Sequence, residues 1–236
     1  MPKKRINYHQ HFSVNEKGTD YFIGDVHGHY DVLMKSLACA GFNADNGDRV
    51  FSVGDLINRG DKSAECLHLL LEPWFFAVMG NHEDMLLDLR VNPELIDTLL
   101  NIGGQWLLQL ENTDKQLTFF MAIVYAKMHL AITIETPYGN IGLTHAQAPD
   151  DWHDIIHSDL PDDQQDLLFW SSEKFNRPKS LEQAISNIDL TVHGHTNSQN
   201  VVVKQNQVWI DTLRCSNEIT VLTAKQLFEL KGANNA

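Results

Sequence analysis

The stretch Phe22-Ile23-Gly24-Asp25-Val26-His27-Gly28 ends a short apolar run in a glycine, then presents a carboxylate and an imidazole. The same arrangement returns along the chain. It is found at Ser52-Val53-Gly54-Asp55, followed by Asn58-Arg59-Gly60, and at Val78-Met79-Gly80-Asn81-His82-Glu83. Later come Leu143-Thr144-His145-Ala146 and Val192-His193-Gly194-His195-Thr196. Strand ends of a sheet gather along one edge, where the side chains that follow converge on a crevice. Glycine lets the backbone turn sharply off a strand and approach a ligand closely.

Carboxylates, imidazoles and an amide oxygen arriving together make a mixed nitrogen and oxygen donor set suited to metal. Asp25, His27, Asp55, Asn81, His145 and His195 supply six donors. That is too many for one tetrahedral zinc and suits two divalent ions sharing a carboxylate. Each piece alone has a plainer reading. A Gly-Asp pair is usually a turn, a buried histidine is usually a satisfied core residue, and Asn81-His82-Glu83 reads as a helix start capped by Asn81. The ordered recurrence outweighs these readings. His193 reads as core or as support for a ligand, with ligation the lesser alternative. His153 and His157, four apart in an acidic segment, read as a solvated helix face.

Outward from these motifs, short β-branched or aromatic runs predict strands at Tyr21–Ile23, Val50–Val53, Trp74–Val78, Leu130–Ile134, Ile141–Leu143, Leu190–Val192, Val201–Val203, Val208–Ile210 and Ile219–Leu222. Helical periodicity marks Asp31–Ala40, Ala64–Leu71, Glu83–Arg90 and Thr113–Tyr125. Strands and helices alternate early and strands crowd the last fifty residues. The pattern predicts a layered α/β fold with mixed sheets rather than a pure doubly wound one.

The 236 residues suit one domain, taken as 1–236, and 43% apolar residues supply its core. A net charge of −13 disfavours nucleic-acid partners. It also means that a phosphate-handling site needs concentrated positive charge, which metal ions provide compactly. No apolar stretch is long enough to span a bilayer, and the N-terminus lacks the apolar core of a secretory signal. Its Lys3, Lys4 and Arg5 read as a solvated end. Cys39, Cys66 and Cys215, without CxxC spacing, read as reduced, buried small hydrophobes in a cytoplasmic protein.

Taken in order, GDVHG at 24–28, GDLINRG at 54–60, GNHE at 80–83, His145 and His195 resemble the phosphoprotein phosphatase family within the calcineurin-like metallophosphoesterases. That family reads GDxHG, GDxVDRG, GNHE, a single His, then GH. The likeness is greatest to its small bacterial and phage serine/threonine phosphatases. It extends to 66–88, 101–107 and 210–212, and covers essentially the whole chain. It implies a central β-sandwich of mixed sheets flanked by helices, and two divalent ions, Mn²⁺ or Fe and Zn. Asp25, His27, Asp55, Asn81, His145 and His195 match the family's metal ligands, with Asp55 as the bridging carboxylate. His82 matches the general acid and Arg59 a phosphate-binding arginine, with Asn81 and His82 lining the same phosphate. The chemistry agrees: a water bridging two cations deprotonates near neutral pH and attacks phosphorus in line. A forked guanidinium neutralises the equatorial oxygens, and an imidazole can protonate the leaving oxygen.

Three positions depart from the pattern. Asn58 stands where the family has the Asp that pairs with the GNHE histidine. Ser172 stands where close relatives carry a second phosphate-binding arginine, and Gln147 stands where they have Asp. Arg177 and Arg214 are candidates to replace the lost arginine, though each reads more simply as a surface residue. The expected activity is a serine/threonine-type protein phosphatase acting on phosphoproteins or phosphopeptides, with phosphotyrosine as a further substrate. The alternatives are a dinucleoside polyphosphate hydrolase, whose family also lacks Asp at the Asn58 position, and a weakly active metal-bound sensing or docking module.

Overall fold

The computed structural model describes residues 8–157 and 160–234, so Lys3, Lys4 and Arg5 lie outside the described residues. In chain order its strands are β1 (His9–Phe12), β2 (Asp20–Ile23), β3 (Arg49–Ser52), β4 (Phe75–Val78), β5 (Met128–His129), β6 (Ala131–Thr136), β7 (Gly139–Leu143), β8 (Leu190–His193), β9 (Val202–Lys204), β10 (Gln207–Trp209) and β11 (Val221–Thr223). They form two sheets, one ordered β1-β6-β7-β8-β10-β9 and the other β11-β2-β3-β4-β5. Both are mixed. Within the second, β2, β3, β4 and β5 run parallel and β11 antiparallel. Within the first, β7, β8 and β10 run parallel, β6 pairs antiparallel with β7 and parallel with β1, and β9 pairs antiparallel with β10.

Alternation of side chains along each strand explains the layering. Phe22, Phe51, Val53 and Val78 pack on Ile132, Ile134, Ile141, Leu143, Leu190 and Val192, filling the space between the sheets. Their neighbours Tyr21, Ile23, Val50, Phe75 and Ala77 join a second core formed with the helices. Each such buried apolar side chain stabilises the fold by about 1.5–3 kcal/mol. The covering helices include α1 (Tyr30–Ala40), α2 (Ser63–His68), α3 (Asn81–Asp88), α4 (Leu95–Asn101) and α5 (Thr113–Lys127). The later ones are α6 (His153–His157), α7 (Asp162–Trp170), α8 (Glu173–Asn176), α9 (Leu213–Ser216) and α10 (Ala224–Asn234). Among the described residues no helix is long and apolar enough to cross a membrane.

All nine expected strands and four expected helices are present, with no end displaced by more than three residues. Two strands escaped the sequence reading. β1 is His9-Gln10-His11-Phe12, an edge strand with no fully buried residue, whose half-buried Phe12 ring packs with its centroid 5.1 Å from that of Phe51 and 4.5 Å from that of Phe76. β5 is two residues long and pairs with β4, after which the chain crosses at Leu130 into the other sheet as β6. The cysteine expectation is corrected. All three thiols are free, but only Cys66 is buried; Cys39 and Cys215 are exposed because they fall on solvent-facing positions of short helices.

Candidate active site

The parallel strands of both sheets end on the same side. Asp25 and His27 follow β2, Asp55 follows β3, Asn81 opens α3 after β4, His145 follows β7 and His195 follows β8. The backbone is contorted there. His27, Asp55, Asn58, Arg59 and His195 all have positive φ, between 46° and 73°. That region is uncommon for residues with a side chain, and such strain persists where surrounding structure enforces it. Two glycines make the convergence possible: a Cβ on Gly80 would lie 2.1 Å from Asp55 Oδ1, and one on Gly194 would lie 2.0 Å from Asp25 Oδ1.

Three imidazoles have one nitrogen committed to a main-chain carbonyl. His27 Nδ1 donates to Ile57 O at 3.1 Å, His145 Nδ1 to Val53 O at 2.7 Å, and His195 Nε2 to Trp170 O at 3.1 Å. Such a bond fixes the tautomer and aims the other nitrogen's lone pair inward. The Asn81 amide oxygen then meets His145 Nε2 at 3.0 Å and His195 Nδ1 at 3.1 Å. Acceptors converging on acceptors require a proton or a metal among them. Asp55 lies 3.6 Å from His27 and 3.4 Å from His145. It belongs to both groups that can hold an ion, His27 with Asp55 and His82, and Asp25 with Asp55 and His145. The donor set therefore fits two metals sharing one carboxylate.

The electrostatics point the same way. Burial, then Asp211 and Asp55, push the Asp25 carboxyl well above its usual range. Burial acts upward on Asp55 too, but His145 and His82 outweigh it and hold the carboxylate well below the usual range. His145 is raised because Asp55 overcomes burial. Burial takes His27 down to about 3 and His195 to about 4, so both present neutral rings. Cations bound among these carboxylates would relieve the repulsion that raises Asp25.

His82 is held differently. Trp106 Nε1–H donates to Asn58 Oδ1 at 2.8 Å, and the other end of that amide lies 2.7 Å from His82 Nδ1. An indole N–H can only donate, so the amide oxygen must face Trp106 and the NH₂ must face the imidazole. His82 Nδ1 is consequently an acceptor, and the ring carries its proton on Nε2, facing the centre. Burial lowers its pKa and Arg59 lowers it further, against the pull of Asp55. Arg59 contacts His27 Nε2 and lies 3.5 Å from His82 Nε2, while its main-chain N–H is anchored to Gly103 O.

Other expectations are resolved residue by residue. Gly80, not Asn81, is the N-cap of α3, which frees the Asn81 side chain for the histidines. His193 is fully buried with both nitrogens bonded, to Thr144 and Thr191, and is core. Gln147 accepts the Lys174 N–H, and Ser172 accepts the Thr196 hydroxyl. Arg177 pairs with Glu173 and lines, with Lys174 and Gln147, a separate recess of about 390 Å³ to which none of the six donors contributes. His153 and His157 lie exposed on α6.

Two organising residues were missed. Glu83 accepts main-chain N–H groups of Asp55, Leu56, Ile57 and Gly80, which shapes the Asp55 loop. Burial and Asp55 raise it to about 7, opposed by those N–H groups. The GNHE pattern contained Glu83 but no signal of this reach. Trp106 could only have been found by knowing that it meets Asn58.

The Calcineurin-like phosphoesterase family model matches residues 21–199. Serine/threonine-protein phosphatase 2 of Salmonella typhimurium is 31% identical over 194 residues, covering 81% of this chain and 86% of that protein. A symmetrical bis(5'-nucleosyl)-tetraphosphatase of Haemophilus influenzae is also 31% identical, but over 56% of this chain and 45% of that protein. The crystal structure of a putative diadenosine tetraphosphatase superposes with a TM-score of 0.63 at 21% identity, covering 93% of this chain and 95% of that one, a likeness of fold. A family match over most of the chain, a homologue aligned over four-fifths of it, and donors converging at the strand ends lead to one conclusion: the chain belongs to the calcineurin-like phosphoesterases, a family of metal-dependent hydrolases.

Proposed function

We propose that the protein is a phosphomonoesterase acting on phosphoproteins, with a bias toward weakly basic leaving groups such as the phenolate of phosphotyrosine. Asp25, His27, Asp55, Asn81, His145 and His195 would hold two divalent ions, Mn²⁺ first, with Fe or Zn as alternatives. When bound, such ions supply Lewis acidity and a water that deprotonates near neutral pH. Arg59 binds the phosphoryl oxygens, its planar fork matching two of them. Asn81 and His82 border the same space, and His82 Nε2–H donates to the departing oxygen. The alignment with a serine/threonine phosphatase over 81% of the chain supports a protein substrate. The strongly negative chain disfavours nucleic acid as a partner.

The observation that carries the leaving-group bias is the Trp106–Asn58–His82 relay. A carboxylate in place of Asn58 would stabilise an imidazolium; an amide that presents its NH₂ opposes one. A neutral imidazole is a weaker acid, adequate for a phenolate or phosphate leaving group and poor for a serine alkoxide. The same relay favours a second reading, a dinucleoside polyphosphate hydrolase, whose leaving nucleotide phosphate needs no strong acid. Side-by-side turnover of phosphoserine peptide, phosphotyrosine peptide and diadenosine tetraphosphate by metal-loaded protein tests this. Phosphotyrosine should be fastest. Faster tetraphosphate turnover would favour the second reading, and faster phosphoserine turnover would refute the bias.

A further inference from the structure

The Arg59 guanidinium reaches His27 and His82, and no carboxylate among the described residues forms an ion pair with it. Its place is set by its main chain. Asn58 and Arg59 are consecutive left-handed residues, with φ of 72° and 73°. Neither is a glycine, so surrounding structure must hold both there. On one side Gly60 N–H donates to His27 O at 2.8 Å, which ties the turn to the donor cage. On the other, Arg59 N–H donates to Gly103 O at 2.8 Å, which ties it to the helical layer.

Gly103 lies between α4 and a 3₁₀ turn, Gly104–Gln109, and its own φ is 100°. A Cβ on it would lie 2.4 Å from Arg59 N, 2.6 Å from Arg59 Cα and 3.0 Å from Arg59 Cγ. The contact is main chain against main chain, and only a glycine fits it. The turn behind it is anchored in the core. Leu99, Trp106 and Leu107 are buried, and the Trp106 ring stands edge-on to Phe120 with centroids 5.8 Å apart. Trp106 also holds the Asn58 amide. One segment thus grips two successive residues, Asn58 through its side chain and Arg59 through its backbone.

We propose that Gly103 is a positioning residue for phosphate binding: its carbonyl and its lack of a side chain fix the Arg59 backbone, so that the guanidinium meets the phosphoryl oxygens without a carboxylate to steer it. This rests on the phosphoesterase reading above. A forked donor binds two oxygens from a narrow range of placements, and a displacement of about 1 Å can cost on the order of 10²-fold.

The test uses full-length, Mn²⁺-loaded protein. Calorimetry measures inorganic phosphate binding, p-nitrophenyl phosphate gives KM and kcat, and a thermal melt gives Tm. Gly103→Ala should weaken phosphate binding and raise KM by about tenfold, with kcat changed by less than about threefold and metal content retained. Asparagine tolerates left-handed backbone better than alanine does. Gly103→Asn should therefore melt higher than Gly103→Ala yet bind phosphate as weakly, since its Cβ meets the same atoms. Gly104→Ala is the control. Its Cβ would meet Leu99, 2.6 Å from the carbonyl oxygen, rather than Arg59, so it should lower Tm and leave phosphate binding unchanged. Within Arg59→Ala, adding Gly103→Ala should weaken phosphate no further. Phosphate affinity that simply follows Tm across these variants, or a further loss in the double variant, would overturn the inference. Should Gly103→Ala not fold, Gly103→Asn against Gly104→Ala decides it. Absence of any phosphoester turnover in the unmodified protein would instead count against the phosphoesterase reading, and the phosphate titrations would still decide Gly103.

Discussion

Two regions of the same crevice are built on opposite plans. His27, His145 and His195 each spend one ring nitrogen on a main-chain carbonyl, so their orientation depends on the backbone rather than on a neighbouring side chain. His82 depends on a side chain, Asn58, which depends on another, Trp106. The departures from the family pattern, Asn58, Gln147 and Ser172, all fall outside the six donors. A cage oriented by backbone is robust, whereas a relay built side chain to side chain can be retuned by one substitution. On this reading common chemistry belongs to the cage and selectivity to the relay.

The largest effects should come from breaking the cage. Chelation should abolish turnover and Mn²⁺ should restore it. Asp55→Asn should cost well over the ~10–100-fold typical of residues that only support a ligand, and it should lower metal content. Asn58→Ala should fall within that smaller range with metal retained. Equal losses at full metal occupancy would erase the proposed division.

A smaller effect probes the relay. Trp106→Phe keeps the ring in the core but removes the donor that fixes the Asn58 oxygen. The amide is then free to turn that oxygen toward His82 and favour its protonated form. Turnover of alkyl phosphates relative to aryl phosphates should rise by up to about tenfold. An unchanged ratio in a well-folded variant would show that Trp106 does not set the amide.

Much of the cage was legible because its signal is local. A glycine and a metal-binding side chain at the end of an apolar run can be read without knowing what lies opposite. The relay was legible only as an oddity. Asn58 stood out, but which end of its amide met His82 depended on an indole 48 positions away. Glu83 likewise organises a loop 26–28 positions distant through its carboxylate, which no spacing rule encodes. In the fold, β1 was invisible because an edge strand with two histidines and a glutamine lacks the apolar alternation of a buried one.

Acid stability sharpens the comparison further. Burial holds His27 and His193 at about 3 and His195 at about 4. Their folded values lie below the unfolded value of about 6.5, so the unfolded chain binds more protons in between. The stability these groups protect is complete above pH ~6.5 and is lost as pH falls toward their folded values. The urea midpoint of chelated protein should be lower at pH 5 than at pH 7.5. Equal midpoints would contradict the neutral, buried state of these rings.

The most direct test of the central claim is turnover against pH for the unmodified protein and Asn58→Asp, on a phosphoserine peptide and on an aryl phosphate. A carboxylate beside Nδ1 would favour protonated His82 and raise its pKa, so the alkaline limb should move to higher pH. Phosphoserine turnover should gain up to about 10²-fold, and the aryl phosphate much less, since its leaving group needs little protonation. Equal effects on the two substrates, or an alkaline limb that does not move, would contradict the account.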